Sequence, residues 1–370
     1  MVAMRGDFGE VRSLLNAEDG ASVWSRLCEV LDTFDPSELD AMVFPYIEGH
    51  VRRWDDTVCV APQDWVIRTL AGEELPFWSI VRKIDLSYQY LDAEDVLRLL
   101  ASPRLSAVTI LDLDSNRIGR EGAEVIAEAE SLSQIKELRL SHNRLTVVGL
   151  ASLIAAQNMR ELRVLDLEAN SLGATKQVPS LADAPWSRTL TKLNLSRNRL
   201  GHRAFNVLFS SFDAPGLEHL ILDHNATTER AIELLCHCHE YGGLPSLRAL
   251  ELRDCSLDTD ALARLFPSSL MQGLERIDLS HNESVDDGAI ELMLDGAKLS
   301  LKHLSLRRTK VTRRLIERLI AEVPTLATLS CPAEGLVERQ ERYYQRFDVY
   351  TADAICELRE MAPHIKITAS

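Results

Sequence analysis

The sequence has no apolar run approaching the ~20 residues that a membrane span requires. Its opening stretch, Met1 to Glu10, holds no apolar segment of the secretory-signal kind. Cysteine is scarce and irregular: seven residues, an odd number, with no repeated spacing that a disulfide framework would use. The expectation is reduced thiols in a cytoplasmic protein. Cations are outnumbered, with 41 Lys and Arg against 56 Asp and Glu and a formal net charge of −15. That balance disfavours nonspecific binding to nucleic acid or to an anionic membrane. There is no G-x-x-x-x-G-K-[ST] loop to cradle phosphates and no G-x-S-x-G elbow to present a nucleophile.

What the chain does have is a recurring L-x-x-L-x-L-x-x-N-x-L pattern. It reads Val108/Leu111/Leu113/Asn116/Ile118, then Ile135/Leu138/Leu140/Asn143/Leu145, Leu162/Leu165/Leu167/Asn170/Leu172 and Leu190/Leu193/Leu195/Asn198/Leu200. The second apolar position falls at Ile84, Leu111, Leu138, Leu165, Leu193, Leu220, Leu250, Ile277 and Leu304, giving steps of 27, 27, 27, 28, 27, 30, 27 and 27 residues. A period of this length is the signature of a solenoid, in which each unit buries its apolar face against its neighbours. Each unit is expected to be a short strand, a turn and a helix on the opposite side, with the parallel strands lining the inner curve. The asparagine column (Asn116, Asn143, Asn170, Asn198, Asn225, Asn282) sits where the chain leaves each strand, and its amides are expected to satisfy turn peptide groups. Gln89, Cys255 and Thr309 replace asparagine in three units. A weak tenth strand is expected at Leu326/Leu329/Cys331.

These repeats resemble the leucine-rich repeat superfamily over about residues 80–331, and the period resembles its ribonuclease-inhibitor-like subclass. The segment from Val60 through Trp65 to Pro76 is similar to the N-terminal caps of bacterial leucine-rich repeat proteins. The resemblance implies an α/β horseshoe solenoid, with a parallel concave sheet and convex helices. Its domains would be a helical N-terminal cap (1–79), the repeats (80–331) and a short C-terminal capping segment (332–370). In the first cap, helices are expected near Phe8–Asn16, Ser22–Phe34, Pro36–Trp54 with a break at Pro45, and Pro62–Ala71, Asp35 capping the third. Trp24, Trp54, Trp65 and Trp78 would shield the open end of the core. In the last cap, a helix from Ala352 to Met361 and a closing strand around His364–Thr368 would blunt the sheet edge.

Side chains alternate along a strand, so the residues flanking the leucines are expected to face the concave side. The candidate partner-binding residues there are Tyr88, Asp112, Asp114, Arg139, His142, Asp166, Glu168, Arg197, Glu251, Asp278, Arg307 and Arg308. Tyr343, Tyr344 and Tyr350 are candidate anchors in the C-terminal cap. Cys236-His237-Cys238-His239 lacks the second ligand pair that zinc sites use. His142, His224 and His281 lie in repeats too far apart to share one ion. Carboxylate columns such as Asp85 and Asp112 have no pocket around them. The expectation is therefore no enzyme, no metal and no cofactor. The chain would be a protein-recognition module, a scaffold, inhibitor or sensor subunit, gripping a folded protein on the concave face, with no nucleic acid or membrane involved. Two alternatives stand beside it. One is activation of a small GTPase, with Arg117, Arg144 and Arg199 at the strand-exit turns. The other is a structural spacer that self-associates through its caps in place of a monomer.

Overall fold

The computed structural model describes residues 6–16, 20–174, 178–296, 299–332 and 347–369. The chain divides into two compact units, Met1–Asp166 and Leu167–Ser370. Eleven parallel strands follow one another in chain order.

The first unit opens with helices at Phe8–Leu15, Gly20–Leu31, Phe44–Val51 and Gln63–Leu70. The expected break at Pro45 is a π-helical turn over Leu39–Val43, and Pro45 itself sits in the first turn of the helix that follows. There its missing N–H costs nothing. Asp35 caps the short helix Pro36–Glu38 by accepting the Ser37 N–H at 2.9 Å. Strands β1 (Lys83–Asp85), β2 (Ile110–Asp112), β3 (Glu137–Arg139) and β4 (Val164–Asp166) come next. They are in register with Ile84, Leu111, Leu138 and Leu165 side by side. The outer edge of β1 is closed by the cap: Val60 bridges Lys83, and the Ala61 N–H donates to the Lys83 carbonyl at 2.8 Å. Trp24 fixes that segment by donating its indole N–H to the Val60 carbonyl at 2.7 Å. Trp65 stacks on Phe77, and Trp78 is fully buried.

The second unit carries β5 (Lys192–Asn194), β6 (His219–Ile221), β7 (Ala249–Glu251), β8 (Arg276–Asp278), β9 (His303–Ser305), β10 (Thr328–Cys331) and β11 (Lys366–Ala369). β11 pairs in parallel with β10, Ile367 beside Leu329. Helices lie between successive strands, at His202–Phe209, Glu229–Glu240, Thr259–Leu265, Asp287–Gly296 and Arg313–Glu322. One repeat departs from the expected strand–helix alternation. Between residues 178 and 190 there is only a single 3-10 turn at Leu181–Asp183. Pro179 and Pro185 deny a helix there, and Trp186, fully buried, fills the volume. Among the described residues no helix is long and apolar enough to cross a membrane.

Candidate functional site

Each central leucine points into the core, so the residue after it must point to the opposite face of the sheet. Among the described residues no helix covers that face, and apart from Ile221 its row after the central leucines is polar. In the first unit Asp85, Asp112, Arg139 and Asp166 stand side by side on β1 to β4. Arg139 donates to Asp112 at 3.2 Å and to Glu137 at 2.6 Å, so it neutralises the middle of the acidic row. Asp112 is only 5% exposed. Burial pushes its carboxyl above the ordinary range, against the pull of Arg139. Asp112, a candidate partner-binding residue, is thus a buried, paired charge rather than an exposed one.

A second row lies one residue beyond the next leucine, and here side chains extend the sheet's ladder. The Asp114 carboxylate accepts the Ser141 N–H at 2.7 Å. In the second unit Asp223 accepts the Arg253 N–H at 2.8 Å, and the Ser280 hydroxyl accepts the Arg307 N–H at 3.2 Å. In each case the partner N–H belongs to the same position of the following repeat. Both carboxylates are half-buried, and burial pushes each up to about 6, with neighbouring carboxylates adding to the effect. For Asp114 those neighbours are Asp112 and Asp166; for Asp223 they are Glu251 and Asp278.

The third row corrects another expectation. Tyr88, His142, Arg197 and Arg308 are not strand residues. They occupy the exit turn with φ of 60°, 54°, 55° and 51°, and Ser115, Ala169, His224, Asp254 and His281 do the same. The strands leading into these turns last only three residues, so alternation no longer governs where these side chains point. In the second unit the exit turns carry a charged relay. Glu168 pairs with Arg197 at 3.1 Å, Arg197 reaches His224 at 2.8 Å, and His224 donates to Asp254 at 2.8 Å. Nearby, Arg253 meets His281 at 3.2 Å. On the strands, His219 donates to Glu251 at 2.7 Å and thereby lowers that carboxyl. Glu251, Asp278, Arg276, His303, Ser305 and Thr328 line a shallow depression of about 290 Å³. Arg307 and Arg308 are exposed beside it in sequence.

The asparagines hold these turns. Asn282 accepts the N–H groups of Cys255 and Leu257 at 3.0 and 3.2 Å and donates to the carbonyls of Leu252 and Leu279 at 2.8 and 3.0 Å. Asn116, Asn198 and Asn225 repeat the arrangement. Where the column departs, Thr309 bonds its own turn, donating to Leu306 at 2.7 Å, and Cys255 makes a weaker thiol contact to Leu222 at 3.3 Å.

The cysteines and His239 of the Cys236–His239 run bond within the fold. Cys236 is buried, Cys238 donates to the Phe212 carbonyl at 3.2 Å, and His239 bonds the Leu244 carbonyl at 2.9 Å. Among the described residues no group of three His, Cys, Asp or Glu is placed to hold a metal ion. Tyr343 and Tyr344 lie outside the described residues. Tyr350 falls in the helix Phe347–Met361, its side chain likewise undescribed.

A family model described as Leucine Rich repeat matches residues 106–127, 133–153 and 187–202. Those stretches carry β2, β3 and β5 with their leucines and asparagines. The fold is a leucine-rich-repeat solenoid. Among curated proteins nothing matches the sequence. Among solved structures, the chain is similar to one in the yeast Rad7–Elc1 complex, at 14% identity over 91% of this chain and 92% of that one, with a TM-score of 0.48. A Bacteroides fragilis protein is similar at 17% identity over 70% and 68% of the two chains, TM-score 0.44. So is TLR13 in its complex with ssRNA13, at 20% identity over 71% of this chain and 37% of that one, TM-score 0.43.

Within this leucine-rich-repeat frame, sequence reading overlooked Asp223, Arg253, His219 and Tyr90. Asp223 and Arg253 were accessible to it, because they share the column of Asp114, one residue past the second strand leucine. The pairing of His219 with Glu251 spans 32 residues and follows only from strand register.

Proposed function

We propose that this chain is a non-catalytic recognition module that holds a folded protein on the polar face of its sheet. One observation carries the reading. A parallel sheet is ordinarily covered on both faces, yet among the described residues this one keeps a helix-free face and lines it with half-buried carboxylates and arginines. Those groups are held by one another and by backbone N–H groups, so they are pre-organised, which lowers the ordering cost of binding. None of them forms a nucleophile–base pair around a reactive pocket. Charges fixed in rows suit orientation and selection of a partner more than chemistry on it.

The test is affinity capture followed by mass spectrometry. Wild type is compared with Asp166→Lys, with Glu251→Lys, and with the helix-side control Glu124→Lys. The expected result is a protein retained by wild type and the control and lost from at least one face variant. Equal retention by all four would remove the sheet face as the binding surface.

A further inference from the structure

The strand-exit turns of the first unit carry a feature that the sheet face does not use. Tyr88 and Tyr90 are 73% and 71% exposed. Both have left-handed backbone, at φ 60° and 61°, a conformation that bulky residues avoid and that asparagine or glycine accepts readily. Neither ring contributes to the core. The turn beneath them is nevertheless rigid. The Tyr88 N–H donates to the Asp114 carbonyl at 2.9 Å, and the amide oxygen of Asn116 accepts from both Gln89 and Leu91.

The same two positions in the next repeats are Ser115 and Arg117, then His142 and Arg144, one 27-residue step apart as the register of β1, β2 and β3 requires. At the ~4.8 Å spacing of strands, these three turns form a strip about 10 Å wide. Arg117 lies over the Tyr90 ring, 5.1 Å from its centre. A guanidinium stacked this way keeps its in-plane N–H groups free for a carboxylate fork. Arg120, slightly further along, is already taken by Glu121 at 2.7 Å. Among the described residues no carboxylate pairs with Arg117 or Arg144. Arginines without a carboxylate partner among the described residues recur on this surface, at Arg199, Arg307 and Arg308 for example; what sets this strip apart in a chain of net charge −15 is that two of them stand beside two exposed tyrosines.

We infer that Tyr88, Tyr90, Arg117, His142 and Arg144 form a docking strip for a short acidic segment of a protein partner. The arginines receive its carboxylates and the tyrosines pack against its backbone and apolar side chains. Tyrosine and arginine are the residue types that concentrate binding energy at protein interfaces. The strip has too few cations to hold a long polyanion against the charge of the whole chain, which favours a peptide over a nucleic acid. The strip borders the sheet face but uses none of the carboxylates on which that reading rests, and it stands whether or not that reading does.

The probe is a fluorescein-labelled dodecapeptide rich in Asp and Glu with one tyrosine, followed by fluorescence anisotropy on the full chain. Its Asn/Gln counterpart and a labelled single-stranded 12-nucleotide RNA serve as comparisons. The acidic peptide is expected to bind at least tenfold more tightly than either, and more weakly as salt rises. Arg117→Ala/Arg144→Ala should weaken it at least tenfold. So should Tyr88→Asn/Tyr90→Asn, with an unfolding midpoint no lower than wild type, because asparagine relieves the left-handed turns. Asp166→Lys should leave peptide affinity within twofold, which separates this surface from the sheet face. Peptide binding that is absent, or unchanged in both double variants, overturns the strip. Tighter binding of the RNA than of the peptide overturns the assignment of its partner, and a lowered midpoint in the tyrosine variant would assign those rings to the fold.

Discussion

At the scale of single residues, the half-buried carboxylates set how stability depends on pH. Asp114 and Asp223 are each pushed up to about 6 in the folded protein, against about 3.9 in an unfolded chain. The folded state therefore binds the extra proton between those values, and stability falls as pH rises from about 4 to about 6. Above that range both groups are charged and oppose folding. Asp114→Asn keeps an oxygen for the Ser141 N–H and removes the charge. It should raise stability at pH 7 by on the order of 1 kcal/mol, a figure reduced because water still reaches the group. The gain should vanish near pH 4, which urea unfolding at the two pH values would show. Asn282 sits at the other extreme. Its amide bonds five backbone groups, so Asn282→Ala should cost about 2–4 kcal/mol in the same measurement. The asparagine role was legible in the sequence, because a polar residue recurring beside leucines needs a backbone partner. The burial of Asp112 was not: one residue between two leucines reads as outward-facing, and only the neighbouring strand shows that Arg139 covers it.

At the scale of elements, the repeat period predicted the strands and their register, since every unit must place its central leucine beside the next. It did not predict where the strands stop. Alternation was extended to Tyr88 and His142, but the strand has already ended and the left-handed backbone falls on these residues themselves, so their direction comes from turn geometry. The period also implied a helix in every unit, and the stretch 178–190 has only a 3-10 turn. Pro179 and Pro185 carried that information, and regular spacing of the flanking leucines masked it. Trp186 replaces the helix as the filler of this repeat. Trp186→Ala should therefore destabilise the protein by about 3–5 kcal/mol, more than a helix-face truncation such as Leu97→Ala, whose side chain is 55% exposed. Thermal unfolding of the two variants would rank them, and equal losses would mean that the stretch repacks around the missing indole.

At the scale of the molecule, a repeat protein must close both ends of its sheet, because an open strand edge recruits another chain. The first edge is covered by the Cys59–Ala61 segment, pinned by Trp24. The last is covered by β11, which pairs with β10 along Thr328–Cys331. β11 is itself tied down: Arg359, on the preceding helix, donates to the Ile367 carbonyl at 2.7 Å, and Ile367 is fully buried. Ending the chain at Ala362 would remove β11 and leave the whole of β10 unpaired on one side. Such a protein should show mass increasing with concentration in light scattering, while the full chain holds constant mass over the same range. Growth of the full chain as well would mean that self-association runs through surfaces other than this edge, as a spacer joined by its caps would require. A truncated chain that stays at constant mass would show that β10 is too short to template a partner, and that β11 serves to hold the last helix in place.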